Sequence, residues 1–254
     1  MNPINKRKEE LKKEILGLGG RKDLIPGIYN YCDRWCERCS FTTQCGSYAL
    51  EDSVWDDEEE KDIKNEKFWK NLSLIFETTL EMILEDAKDR GIDLSQIEPM
   101  EDDSHEKAEK SELVLVGRKY GMDVNKWLNE IQPQAEQAIF REAVIDIENT
   151  DILVDAFEVI RWYSYFISVK ISRAMSQMEE DSEFQDDMYG SAKIALIAIE
   201  RSIGAFGVLY QKLDEHEDKI LKFLSTLSKL KRDTEKQFPD AMKFVRPGFD
   251  EWEV

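Results

Sequence analysis

Residues Ile152 to Met178 read ILVDAFEVIRWYSYFISVKISRAMSQM, and this stretch decides the fold class. Leu153, Phe157, Ile160, Trp162, Tyr163, Phe166, Val169 and Ile171 spread round most of a helical circumference instead of along one stripe. A helix that is apolar on nearly all sides has to be surrounded by other helices. Ser164, Ser168 and Ser172 repeat at four-residue steps and share one line of it. The expected partner lies just downstream in MYGSAKIALIAIERSIGAFGVLY, Met188 to Tyr210. There Ser191, Ala195, Ala198, Ser202 and Ala205 alternate by four and three, a seam of small side chains that lets helix axes approach closely. The two segments are expected to pair as an antiparallel core hairpin.

Helical periodicity extends in both directions. Towards the amino terminus, Phe68, Trp69, Leu72, Ile75, Phe76, Leu80, Ile83, Leu84 and Ala87 recur at steps of three and four, a helix that starts near Glu66 and stops at Gly91. Lys6 to Leu16 reads as a short amphipathic helix ended by Gly17, and Ser47 to Trp55 as another. A polar connection from Asp93 to about Ser104 leads to a helix ending near Tyr120, with Gly121 as its left-handed stop. Asp123 then caps a short helix through Trp127 to Ile131, and Pro133 opens the next one. Ile220 to about Lys236 is a last amphipathic helix, followed by an apolar tail that docks in extended form. The chain is therefore expected to be all-α. A multi-helix bundle spans 66–236, with an amino-terminal helix and cysteine-rich metal knuckle at 1–50, an acidic linker or helix extension at 51–65, and a tail at 237–254.

The composition agrees. Twelve Gly and six Pro in 254 residues fall below average usage of about 7% and 5%, and alternating β-branched runs are few. The longest unbroken apolar stretch, Ile194 to Ile199, falls far short of the roughly 20 residues a membrane span requires. The basic start, broken by charge at helical spacing, does not read as a signal peptide, so the expected location is the cytoplasm. The net charge of -19 disfavours wrapping by nucleic acid or anionic lipid. That charge is local, however. Residues 51–62 carry -7, 98–109 carry -5 and 179–187 carry -6, while 1–22 carry +4 and 219–246 carry +5.

One feature names a chemistry. All four cysteines fall in YCDRWCERCSFTTQC as Cys32, Cys36, Cys39 and Cys45. With the segment helical to Cys39, the first three share a face and Cys45 returns from the following turn. Four thiolates satisfy either a closed tetrahedral zinc site or a 4Fe-4S cluster with one cysteine per iron, and the spacing leaves both open. Two disulfides or idle thiols are the alternatives, but a chain this long builds a core without staples. A catalytic thiol requires a nearby base, and the two histidines, His105 and His216, sit in polar surroundings.

The last three cysteines, in CERCSFTTQC, resemble the C-x2-C-x-(F/Y)-x3-C clasp of iron-sulfur RecB-like nucleases. The resemblance covers about ten residues and bears on the metal centre alone, since the strand-borne catalytic residues of those nucleases have no counterpart here. The first three share the C-x3-C-x2-C spacing of radical S-adenosylmethionine enzymes. Arg38, however, stands where those enzymes place an aromatic residue, and their strand-and-helix barrel is missing.

The other constellations read more plainly. Neither histidine follows a glutamate by three, so a di-iron bundle lacks half its ligands. Asp155, Glu158, Arg161, Glu200 and Arg201 remain as candidates for a buried polar site, a core ion-pair network or a solvent-facing rim. GLGGRK lacks phosphate-loop spacing and a preceding strand. The resulting expectation is a metal-binding, non-enzymatic interaction or regulatory module whose partner is another protein. An iron-sulfur redox or metal-dependent enzyme subunit is the alternative. A third reading is a nucleic-acid-binding knuckle that uses Arg21, Lys22, Arg34 and Arg38 with Tyr29, Tyr31 and Trp35.

Overall fold

The computed structural model describes residues 3–55, 58–96, 103–179 and 185–250; the parts of the acidic runs at 56–57, 97–102 and 180–184 lie outside them, as does the end of the tail. Among the described residues there are nine α-helices and no strand. They divide into two compact units, Met1–Glu101 with Pro247–Val254, and Asp102–Arg246. Among the described residues no helix is long and apolar enough to cross a membrane.

The second unit holds α4 (Ser104–Lys110), α5 (Glu112–Glu130), α6 (Gln132–Ile145), α7 (Ile147–Ser176), α8 (Gln185–Lys212) and α9 (Glu217–Gln237). Helix α7 is central and packs on α4, α5, α6 and α8. Its start is fixed by Asp146, whose carboxylate accepts from the backbone N–H groups of Glu148 at 2.9 Å and Asn149 at 3.4 Å. Leu153, Ile160, Tyr163, Ile167 and Ile171 are fully buried, but Trp162, Tyr165 and Val169 face solvent, so one side of α7 is open. Helix α8 runs antiparallel to it. Arg201 donates to the Tyr163 hydroxyl at 2.6 Å, and Arg173 reaches Asp187 at 2.8 Å, so rising numbers on α8 meet falling numbers on α7.

The serine line of α7 does not face α8. It faces α4 and α5: the Ser172 hydroxyl donates to Glu109 at 2.7 Å, while Gly117 lies against Ser168 and Gly121 against the Ser164 backbone. Gly121 is therefore not a stop. Helix α5 runs unbroken through it, because the glycine lets two backbones touch, and Asn125 ties the crossing with hydrogen bonds to Ser164 Oγ at 2.6 Å and Gly121 O at 2.9 Å. Asp123 consequently caps nothing and pairs with Lys119 at 2.7 Å. Helices α5, α8 and α9 meet in a cluster of rings, with Trp127 and Phe206 each 5.3 Å from Phe223. After α9 the chain makes a 3-10 turn at Ala241–Lys243 and buries Phe238 and Ala241 against Ala174, Ala192 and Leu196.

The first unit contains α1 (Pro3–Leu18), α2 (Gly46–Val54) and α3 (Glu66–Asp89). Helix α1 packs on both others. Lys8 pairs with Glu77 at 2.9 Å and Glu81 at 2.6 Å, and Lys12 with Glu85, so α3 turns its acidic face to α1. Helix α3 starts at the Asn65 cap and ends before Gly91, at φ +69°. The acidic stretch before it is not simply a solvated linker. Glu60 is buried and held by Lys67 at 2.8 Å and Asn71 at 3.2 Å.

Candidate metal centre

The cysteine segment is not an α-helix. It is a chain of three 3-10 turns, Ile28–Asn30, Cys36–Arg38 and Thr42–Gln44, leading directly into α2. Pro26 and Gly27, the latter at φ +75°, turn the chain into the segment, and the buried side chain of Ile28 anchors it. The Ile25 N–H donates to Gln44 O at 2.9 Å and closes the loop on itself.

This local design fixes the cysteines in two ways. Cys39 and Cys45 each follow a 3-10 turn, in extended conformation, with their N–H groups on Cys36 O at 3.1 Å and Thr42 O at 3.3 Å. Between Cys32 and Cys36 the chain reverses at Arg34, the one non-glycine residue with positive φ (+58°) among those described. Its guanidinium, bonded to Ser47 Oγ at 2.9 Å, stabilises that costly turn.

All four cysteines are half-buried and line one small cavity of about 20 Å3, together with Tyr29, Trp35, Phe41, Tyr48 and Phe249. Phe249 meets Phe41 edge-on at 5.0 Å. No disulfide joins the thiols. The Phe41 N–H lies 3.4 Å from Cys39 Sγ, an orientation that stabilises a thiolate, and Cys32 Sγ donates to Tyr29 O at 3.6 Å. Burial pushes the Cys36 thiol up to about 11, reinforced by the negative charge of Glu51 and then by the other three cysteines. Among the described residues no three His, Cys, Asp or Glu side chains form a cluster that could hold a metal ion. The loop therefore gathers four thiols round one cavity and stops short of coordinating geometry, and the metal knuckle expected from the sequence is not seen as such.

The remaining sequence candidates scatter. Asp155, Glu158, Arg161, Glu200 and Arg201 all lie on exposed surface and form no buried site. Glu200 pairs with Lys231 at 2.9 Å. His105 is exposed, whereas His216 is half-buried with its ring edge-on to Trp127 at 5.9 Å and its Nε2 without a partner. It borders an open depression of about 760 Å3 between α6 and the α8 to α9 turn, where Arg141 and Lys212 alternate with Glu136, Asp214 and Glu215, a lining of mixed sign that selects no ligand class. Near the cysteines, Arg38 covers the Trp35 ring at 4.0 Å, and Arg21 is engaged by Asp23. One face of the Trp35 ring is thus covered by the chain itself. Two contributors escaped the sequence reading, the left-handed Arg34 and the Phe41 N–H. Only the two-residue offset of Phe41 from Cys39 could have signalled the second.

The chain matches no family model, no curated protein and no solved structure.

Proposed function

We propose that this protein binds one metal ion through Cys32, Cys36, Cys39 and Cys45, and acts in the cytoplasm as a non-enzymatic interaction or regulatory module that engages another protein. The observation that carries the reading is the single cavity lined by all four thiols and walled by aromatic rings. Four thiolates repel one another, and a divalent cation would convert that repulsion into coordination, so metal affinity would become folding energy for the loop. Four thiolates supply the closed tetrahedral shell that a structural zinc ion requires, and zinc is therefore the metal to test first, with the 4Fe-4S cluster as its alternative. Nothing in the lining supplies a base for thiol chemistry. It contains no histidine, and its one carboxylate, Asp33, accepts a hydrogen bond from the Trp35 N–H at 3.2 Å.

Elemental analysis with an absorbance spectrum of anaerobically purified protein tests this. One zinc per chain in a colourless protein, lost in Cys39→Ser, is the expected result. A brown protein absorbing near 400 nm would replace the zinc reading with the iron-sulfur subunit. Metal-free protein that binds neither would sink both.

A further inference from the structure

Helix α3 carries its apolar seam on the outside. Thr78 is buried on its core-facing side and Ala87 is buried near its end, one step past Ile83, while Glu81 and Glu85 lie towards α1. Roughly opposite, Trp69, Ser73, Phe76, Leu80 and Ile83 are all exposed and alternate by four, three, four and three, which is the spacing of a coiled-coil seam. Trp69 is 52% exposed, Phe76 66%, Leu80 56%, Ile83 54% and the adjoining Leu84 50%. Isolated exposed apolar side chains are ordinary, but four on one seam, with Ser73 between the first two and Leu84 alongside the last, mark an interface.

We propose that this seam pairs with the same seam of a second copy, antiparallel, about a twofold axis at Phe76. Self-complementarity argues for that occupant. An antiparallel twin centred on Phe76 sets Trp69 beside the partner's Ile83, Ser73 beside the partner's Leu80 and Phe76 against its own counterpart, so that every pairing is reciprocal, as an isologous contact requires. The charge nearest the axis is Glu77, and Lys8 already neutralises it at 2.9 Å. Area agrees as well. Trp69, Phe76, Leu80, Ile83 and Leu84, each giving up on the order of 100 Å2, bury about 1,000 Å2 across the pair, the lower bound for a biological interface and in the range of weak, transient ones. The dimer is independent of the metal, because no cysteine lies on α3.

Sedimentation of the full chain over a concentration series tests this. Wild-type protein is expected to dimerise with a dissociation constant in roughly the micromolar range. Phe76→Glu and Phe76→Lys, each placing like charges across the axis, are expected to raise that constant about 100-fold or more while the melting temperature measured well below it, where the chain is monomeric, stays unchanged, and an equimolar mixture of the two should restore association. Leu80→Glu provides a second variant that weakens the pair without the mixing effect. A wild-type chain that stays monomeric at about 100 μM, or a dimer that survives Phe76→Glu, overturns the proposal. A monomer whose Phe76 and Leu80 are shielded from hydroxyl-radical footprinting overturns it too, because the seam would then be covered by the chain itself.

Discussion

Gly121→Ala is the sharpest test of how the second unit is packed. A Cβ built on Gly121 would lie 2.6 Å from Ser164 O, 3.0 Å from Tyr165 Cδ1 and 3.2 Å from the Ser164 carbonyl carbon. Two of these three atoms are backbone, so no side-chain rotation relieves the contact and α5 must move away from α7. Overpacking of this kind costs about 1–3 kcal/mol, and the upper half applies here because separation also stretches the 2.6 Å bond from Asn125 to Ser164. The gain in helix propensity from glycine to alanine returns about 0.5–1 kcal/mol, which leaves a net loss of about 2 kcal/mol. For a unit of this size that lowers the melting temperature by about 4–8 °C. Gly204 and Gly207 supply the internal control. Both lie within α8, and nothing lies within 4 Å of a Cβ built on either. Alanine there keeps the propensity gain without the clash and should raise stability by about 0.5–1 kcal/mol. Thermal melts followed by circular dichroism, with hydrogen exchange to assign the loss to Asp102–Arg246, measure all three. A Gly121→Ala variant as stable as Gly204→Ala would refute the close α5–α7 crossing.

The remaining predictions concern the loop and the caps. Zinc affinity is expected to rise steeply with pH, because each bound thiolate displaces a proton, and the contribution of Cys36 persists until pH approaches its raised value of about 11; zinc titrations from pH 6 to 8 that give a flat affinity would contradict thiolate ligation. In the metal-free chain the sign reverses: the folded state resists ionising Cys36 while an unfolded thiol ionises at its ordinary value of 9.0, so stability of the first unit is full below that value and falls as pH rises through about 11. Chelation, or Cys39→Ser, is expected to speed hydrogen exchange in residues 26–50 more than in α7 and α8; equal loosening of the whole chain would mean that the loop is part of the main core. Asp146→Ala removes the α7 cap and is expected to cost about 1 kcal/mol, read by chemical denaturation; no change would show that the α7 start is held by packing alone.

What could be read from the sequence follows from the range of the forces involved. The α7 and α8 helices and their antiparallel pairing were legible because burial imposes a period on the chain itself, and the stop at Gly91 is local chemistry; the Asp146 cap, ahead of the apolar run that marked α7, was not read. Gly121 was misread for a complementary reason. A glycine that ends a helix and one that admits a neighbouring helix are identical in one dimension, and only the backbone of Ser164, 43 positions away in the chain, distinguishes them. Helix α3 shows the same limit from the other side. Its apolar period was plain, yet periodicity reports that a face exists and not which neighbour covers it, and the pairing of Lys8 and Lys12 with the acidic side of α3 turned that face outward. The cysteine segment lies between these cases. Its composition named the chemistry, while the helix expected to align Cys32, Cys36 and Cys39 gave way to 3-10 turns and a left-handed Arg34. A loop of that kind holds its thiols by turn geometry and has no helical ladder to resist their approach. On the proposed metal reading, the ion itself would have to draw these turns together, so that metal binding and completion of the loop's fold would be one event.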